Sequence, residues 1–101
     1  MDIFGKRNDY GGMMANFAKV TNNQVDAVIV VSNQSCDNLP FPESEPVGQA
    51  FIASIGLNGT WLQTSYNNNF RGTYAGMGYT FDPSLGEYGE FVAPPAPPVE
   101  Q

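Results

Sequence analysis

The most informative stretch of this chain is TWLQTSYNNNFRGTYAGMGYTFD, residues 60 to 82. It holds the only Trp, three of the five Tyr, two of the Phe residues and one of the two Arg, separated by Asn and Gly. Aromatic and β-branched residues punctuated in this way are typical of short strands joined by tight turns. The stretch therefore predicts antiparallel sheet, and it contains no recognisable catalytic motif.

Upstream, residues 16 to 32 have the clearest hairpin pattern in the chain. Two apolar runs flank the sequence TNNQ at residues 21 to 24, and Asn tolerates the positive φ angles of a tight turn. The second run is apolar at every position from Ala27 to Val31, which is typical of a strand with both faces covered. We therefore expect this strand near the centre of the sheet.

One helix is predicted between the second and third strands, from Pro46 to Ile55. Val47, Phe51 and Ile55 recur at i, i+4 and i+8, which places them on one side of a helix. A proline in the first turn is compatible with a helix start. We expect this apolar side, and Phe51 in particular, to be buried against the sheet.

The residues around this helix contain start and stop signals. Ser44 or Glu45 can cap the amino end. Gly56 can adopt the left-handed conformation that ends a helix in a Schellman motif, with Leu57 folding back on Ile52.

The remaining strands are predicted from alternation and turn residues. Trp61 and Leu62 are adjacent in a strand, so they must lie on opposite faces, and we expect Trp61 to be buried. Residues 74 to 81, YAGMGYTF, are predicted to be a strand whose glycines permit close approach to another backbone. Residues 82 to 86 then form a turn, with a return strand over residues 88 to 92.

Two short motifs could suggest ligand chemistry. Gly76 and Gly78 form a G-x-G pattern, but the nucleotide fingerprint needs a third glycine that opens a helix. Asp82, Ser84 and Glu87 could surround a calcium ion, but their spacing does not match a twelve-residue calcium loop. We therefore expect a strand and a plain turn, with no cofactor or metal site.

Catalytic side chains are also sparse. The chain has no His, the commonest general base and metal ligand. Cys36 is the only Cys, so we expect an unreactive thiol and no intrachain disulfide. Arg71 is expected to stack on a Tyr or to be solvated. These residues do not favour an enzyme.

Length and charge exclude several classes of protein. A chain of 101 residues is one domain. A net charge of −6 with four Lys and Arg residues does not favour nucleic-acid binding. The longest apolar run is far shorter than a membrane span, and the first residues do not resemble a signal peptide. We expect a soluble protein made in a cytoplasm, with no membrane partner.

The weakly charged composition and the two termini indicate contact with other protein. Charged residues make up 14% of the chain, well below the usual share of about 25%. We divide the chain into an N-terminal arm (residues 1 to 13), a β-rich domain (14 to 93) and a Pro-rich tail (94 to 101). The arm is either a disordered start or a segment that docks on a neighbouring subunit. The candidate partner-binding residues at the two ends are Ile3, Phe4, Tyr10, Pro94, Pro95, Pro97, Pro98 and Val99.

Several of these motifs together resemble a family of small virion structural proteins of tailed bacteriophages, many of which infect cyanobacteria or other marine bacteria. The resemblance spans residues 14 to 95, and its most specific parts are W-x-Q-T-S-Y-N and R-x-x-Y-A-G-x-G-Y-T-x-D. Family members tend to begin near Met13 or Met14 of this numbering, and many continue into a further Trp-containing module. The resemblance implies a structural protein of the virion without enzymatic activity.

We therefore expect an α+β fold that is mainly β, with one short helix between the second and third strands and an extended arm at each end. The resemblance and this layout imply a capsid decoration protein, a homotrimer that binds the major capsid protein across capsomer junctions in the virion. A tail, neck or fibre-associated protein of the same virion is the alternative. A binder of host-surface carbohydrate would instead use exposed aromatic rings as stacking platforms. The candidates for that role are Trp61, Tyr66, Tyr74 and Tyr79.

Overall fold

The computed structural model describes residues 14 to 95, and these residues form one curled antiparallel sheet with one α-helix packed on it. The strands are β1 (Met14–Thr21), β2 (Gln24–Ser32), β3 (Thr60–Thr64), β4 (Thr80–Asp82) and β5 (Glu90–Val92). Helix α1 (Ser44–Ser54) lies between β2 and β3 in sequence, and a 3₁₀ helix (Asn33–Cys36) follows β2. The sheet order is β3-β1-β2-β4-β5. The predicted mainly-β fold, with its helix between the second and third strands, is confirmed.

Strands β1 and β2 form the predicted hairpin. Asn22 and Asn23 occupy the turn with φ angles of 53° and 65°, and two consecutive left-handed residues are the mark of a type I′ turn. Pairing runs along both strands, with one register shift between Lys19 and Val20. Strand β3 pairs with the other side of β1, so β1 has a partner strand on each side.

Helix α1 approaches the sheet most closely at Gly48. Its buried positions are Ser44, Gly48 and Ile52. A Cβ atom added to Gly48 would lie 2.3 Å from Cζ of Phe17 on β1, so the Phe17 ring fills the space that a side chain at this position would need. The missing side chain at Gly48 therefore sets how closely the helix lies on the sheet.

The predicted buried side of the helix is displaced by one position. Val47 and Phe51 are only half-buried, and Ile55 is 54% exposed. The contact at Gly48 brings the Ser44–Gly48–Ile52 line to the centre of the interface. The line that contains Phe51 then packs at the margin of the core, so the expectation that Phe51 is buried holds only in part.

The amino end of α1 differs from the prediction because its polar side chains contact the sheet. Glu43 is the N-cap residue and its side chain makes no capping bond. Ser44 Oγ instead donates to Oε1 of Gln63 at 2.6 Å. The Glu45 carboxylate accepts the backbone N–H of Gln63 at 2.8 Å. The predicted cap by Ser44 or Glu45 is therefore wrong.

The carboxyl end of α1 is the predicted Schellman motif. Gly56 has a φ of 89°, and its N–H donates to the carbonyl of Ala53 at 3.0 Å. The N–H of Leu57 donates to the carbonyl of Ile52 at 3.2 Å. These two bonds satisfy carbonyls that the helix itself leaves free.

The curled sheet separates two small cores. The helix-side core consists of Ala15, Phe17, Val31, Cys36, Ile52 and Trp61. The core on the other face consists of Ala18, Val25, Ala75 and Phe91, with Leu62 packed against it. Trp61 and Leu62 therefore point to opposite faces, as their adjacency in a strand predicts.

The segment between β3 and β4 is less regular than predicted. Strand β4 begins only at Thr80, and residues 65 to 79 form no strand longer than an isolated bridge. The backbone does approach β2, because Gly78 N–H donates to the carbonyl of Val25 at 2.9 Å. Gly78 has a φ of 84°, which breaks strand geometry at that point. The turn after β4 is confirmed, since Ser84 donates through its N–H and its hydroxyl to Oδ1 of Asp82.

Candidate interaction surface

The Arg71 side chain makes four hydrogen bonds within the described domain. Its guanidinium contacts both carboxylate oxygens of Glu45, and the Nη2–Oε1 distance is 3.2 Å. Nη1 also donates to the carbonyl of Gln63 at 3.0 Å, and Nε donates to the carbonyl of Tyr88 at 3.1 Å. The Arg71 side chain is 7% exposed. These contacts join α1, β3 and the turn before β5.

Aromatic rings complete the surroundings of Arg71. The guanidinium carbon lies 5.1 Å from the ring centre of Phe41 and 5.6 Å from that of Phe81. Phe41 is stacked on Phe70 at a centroid distance of 3.9 Å. The expectation that Arg71 is solvated or stacked on a Tyr is wrong. Its partner Glu45 lies 26 residues away in sequence, so no local pattern indicated the ion pair.

The outer edge of β3 is occupied by these same side chains. Gln49 Nε2 donates to the carbonyl of Trp61 at 2.6 Å. Glu45 accepts the N–H of Gln63, and Arg71 donates to its carbonyl. Backbone groups of an edge strand can pair with another chain when they are free. The contacts from α1 and Arg71 therefore hinder strand addition at β3.

The outer edge of β5 is also occupied. The N–H of Phe91 donates to the backbone carbonyl of Arg71 at 2.9 Å, and Gly72 forms a parallel bridge with Phe91. Arg71 thus contacts β3 through its side chain and β5 through its backbone. It lies between the two outer strands and closes the curled sheet.

Strand β2 has an open section. It pairs with β4 at one residue pair, Gln24 with Thr80, and Val25 adds backbone bonds to Gly78 and Tyr79. Beyond Val25, no strand within residues 14 to 95 lies on the side of β2 that faces away from β1. Strand β2 is third in the sheet order, as expected for a central strand, but its second half is an edge.

Burial and hydrogen bonding shift the pKa values of titratable groups in the described domain. Burial, and secondarily the charge of Asp37, raises the pKa of the Cys36 thiol above its ordinary value, and Cys36 is fully buried. This is the environment of an unreactive thiol. The hydrogen bonds from Ser84 lower the pKa of Asp82. Among residues 14 to 95, no three Cys, Asp or Glu side chains are grouped so that they could hold a metal ion.

The aromatic residues proposed as sugar platforms do not share one surface. Trp61 is only 7% exposed and belongs to the helix-side core. Tyr79 packs against the other core. Tyr66 is 66% exposed and meets Tyr74 edge to face at 5.2 Å. The expectation that Trp61 is buried is confirmed. The largest of the four candidate rings is therefore not accessible for stacking on a sugar.

The predicted partner-binding residues lie at or beyond the ends of the described range. Pro94 and Pro95 are exposed and follow β5 without regular structure. The other candidates fall outside residues 14 to 95, namely Ile3, Phe4, Tyr10, Pro97, Pro98 and Val99.

Comparison with protein-family models, curated proteins and solved structures found no match to this chain. Within residues 14 to 95, no helix has the length and apolar character needed to cross a membrane.

Sequence reasoning did not find the open section of β2, although a signal for it exists. The apolar run from Ala27 to Val31 indicates a strand with both faces covered, near the centre of the sheet. An apolar strand can equally be covered by another chain. The turn formed near Gly78, which directs the chain away from β2, has no strong sequence pattern.

Proposed function

We propose that this chain is a structural protein of a tailed-bacteriophage virion, without enzymatic activity. More specifically, we propose a capsid decoration protein that binds the major capsid protein across capsomer junctions and reinforces the shell. The observation that carries the proposal is the sequence resemblance over residues 14 to 95, centred on the motifs around Trp61 and Arg71.

Surface composition is consistent with this role. Charged residues are few for a soluble domain. Several large apolar side chains are exposed, including Met14, Val30, Tyr66 and Met77. A surface of this kind is suited to packing against other protein. A homotrimer, the arrangement that the resemblance implies, would cover part of it.

The principal alternative is a tail, neck or fibre-associated protein of the same virion. A carbohydrate-binding role is less well supported, because the Trp61 ring is buried and Tyr79 packs in the opposite core. Tyr66 would be left as the exposed ring for a sugar, with the half-buried Tyr74 edge to face against it.

Copy number on purified virions tests the proposal. A quantitative gel, calibrated against the major capsid protein, should show on the order of hundreds of copies per particle, since capsomer junctions repeat over the shell. A few to a few dozen copies would indicate the tail or neck. Absence from virions would refute a structural role in the particle.

A further inference from the structure

The direction of the backbone groups on β2 follows from the contacts on β3. Trp61 and Gln63 direct backbone groups away from β1, toward Gln49, Glu45 and Arg71. Backbone direction alternates along a strand, so the intervening β3 residues bond to β1. Their partners on β1 include Asn16 and Ala18. Phe17 therefore faces β2.

The same alternation identifies the outward residues of β2. Phe17 pairs with Ile29, so Ile29 bonds to β1, whereas Val28 and Val30 direct their N–H and C=O groups away from it. The contacts of Val25 support this assignment. Across the register shift it too faces away from β1, and it bonds to Gly78 and Tyr79.

Val28 and Val30 therefore form an open, apolar strand edge. No backbone hydrogen bond within residues 14 to 95 reaches their outward groups. The Val30 side chain is 57% exposed. Outer strands of natural sheets are usually protected by charges, prolines or covering segments, as β3 and β5 are here. The edge at Val28 and Val30 has no such protection among the described residues, and it ends at Ser32, which caps the 3₁₀ helix.

We propose that this edge receives residues 1 to 13 of a second copy of the chain as an added strand. The inference rests on the proposed self-association but not on location in a virion. Strand addition gives affinity through main-chain bonds and specificity through alternate side chains. The segment contains the apolar residues Ile3, Phe4 and Tyr10, which can cover Val30.

The composition of the two terminal segments favours the N-terminal one as the occupant. Residues 1 to 13 contain no proline, so each peptide N–H can join a ladder. The tail has four prolines between residues 94 and 98, and each removes a donor. Thirteen extended residues reach about 43 Å, whereas the edge from Val28 to Ser32 is about 17 Å long.

The position of Met14 favours a second copy over the same chain. Met14 pairs with Ser32, so the N-terminal segment leaves the sheet at the far end of the open edge. To pair with its own β2, the segment would have to run parallel to that strand and pass around its end within a few residues of Met14. A segment from another copy has no such connection and can pair antiparallel, which gives the more stable ladder.

Isotope-filtered NOE spectroscopy on the full-length protein tests this arrangement directly. In a mixture of labelled and unlabelled chains, only contacts between different copies survive the filter. We expect cross-peaks between the Val28 and Val30 methyl groups of one copy and the Ile3, Phe4 or Tyr10 protons of another. The same contacts within one chain, or no such contacts, would overturn the proposal.

Substitutions provide a second test with a matched control. Val30→Lys places a charge on the open edge, whereas Ile55→Lys places one at a site of similar exposure, 54%, at the end of α1. By sedimentation, Val30→Lys should weaken self-association roughly tenfold or more and Ile55→Lys less than about twofold. Equal effects of the two variants would contradict the proposal. Should circular dichroism show that Val30→Lys is unfolded, the NOE experiment on the wild-type chain decides.

Discussion

Arg71 and Glu45 form an ion pair in which the guanidinium spans both carboxylate oxygens, with a side-chain exposure of 7% for Arg71 and 15% for Glu45. The pair joins the first turn of α1 to the segment between β3 and β5. Removing one member of such a pair leaves a poorly solvated charge, which costs more than the intact pair contributes.

We therefore predict that Arg71→Met lowers the free energy of unfolding by about 3–5 kcal/mol, measured by urea denaturation. The double variant Arg71→Met/Glu45→Met should recover part of this loss, because no unpaired charge remains. Asp26→Asn is the control, since Asp26 is exposed, and it should change stability by less than about 0.5 kcal/mol. A loss below about 1 kcal/mol for Arg71→Met would show that the pair is solvent-screened.

Gly48→Ala tests the close approach of α1 to the sheet. Alanine is the better helix former, yet its Cβ would overlap the Phe17 ring at 2.3 Å. We predict a net destabilisation of about 1–3 kcal/mol. In a Phe17→Leu background the penalty of Gly48→Ala should shrink, because the smaller side chain makes room. An unchanged penalty in that background would mean that another neighbour limits the helix.

Trp61 tests the assignment of strand faces. Its indole N–H donates to the carbonyl of Asn58 at 3.1 Å, and its ring lies in the helix-side core. Trp61→Ala should cost about 3–5 kcal/mol, whereas Tyr66→Ala, at an exposed ring, should cost less than about 0.5 kcal/mol. Trp61 fluorescence should resist quenching by iodide. Ready quenching in the folded protein would place the ring at the surface instead.

The buried thiol of Cys36 should make the stability of the domain depend on pH. Burial raises the thiol pKa in the folded state above its ordinary value of 9.0. As pH rises, the unfolded chain therefore loses this proton first, so stability is fully present below about pH 9 and falls above it. Cys36→Ala should remove this component of the slope in urea titrations between pH 8 and pH 10.5. The same slope in the variant and the wild type would assign it to other groups.

Local sequence patterns account for the hairpin, the helix ending and the sides of β3. Asn22 and Asn23 specify the hairpin turn, and Gly56 specifies the end of the helix. Each of these residues acts through its own left-handed backbone conformation. The helix contact at Gly48 was missed because it depends on the position of the Phe17 ring. The role of Arg71 also depends on tertiary structure, because the curled sheet brings Arg71 to Glu45, which is 26 residues away in sequence.

We infer from the open edge of β2 that the chain works as part of an assembly. Light scattering of the full-length protein, coupled to size exclusion, measures this most directly. We predict an associated species, a trimer with three times the 10.9 kDa mass of one chain, that dissociates on dilution or when Val30 is replaced by Lys. A mass of one chain at every concentration up to the millimolar range would contradict it.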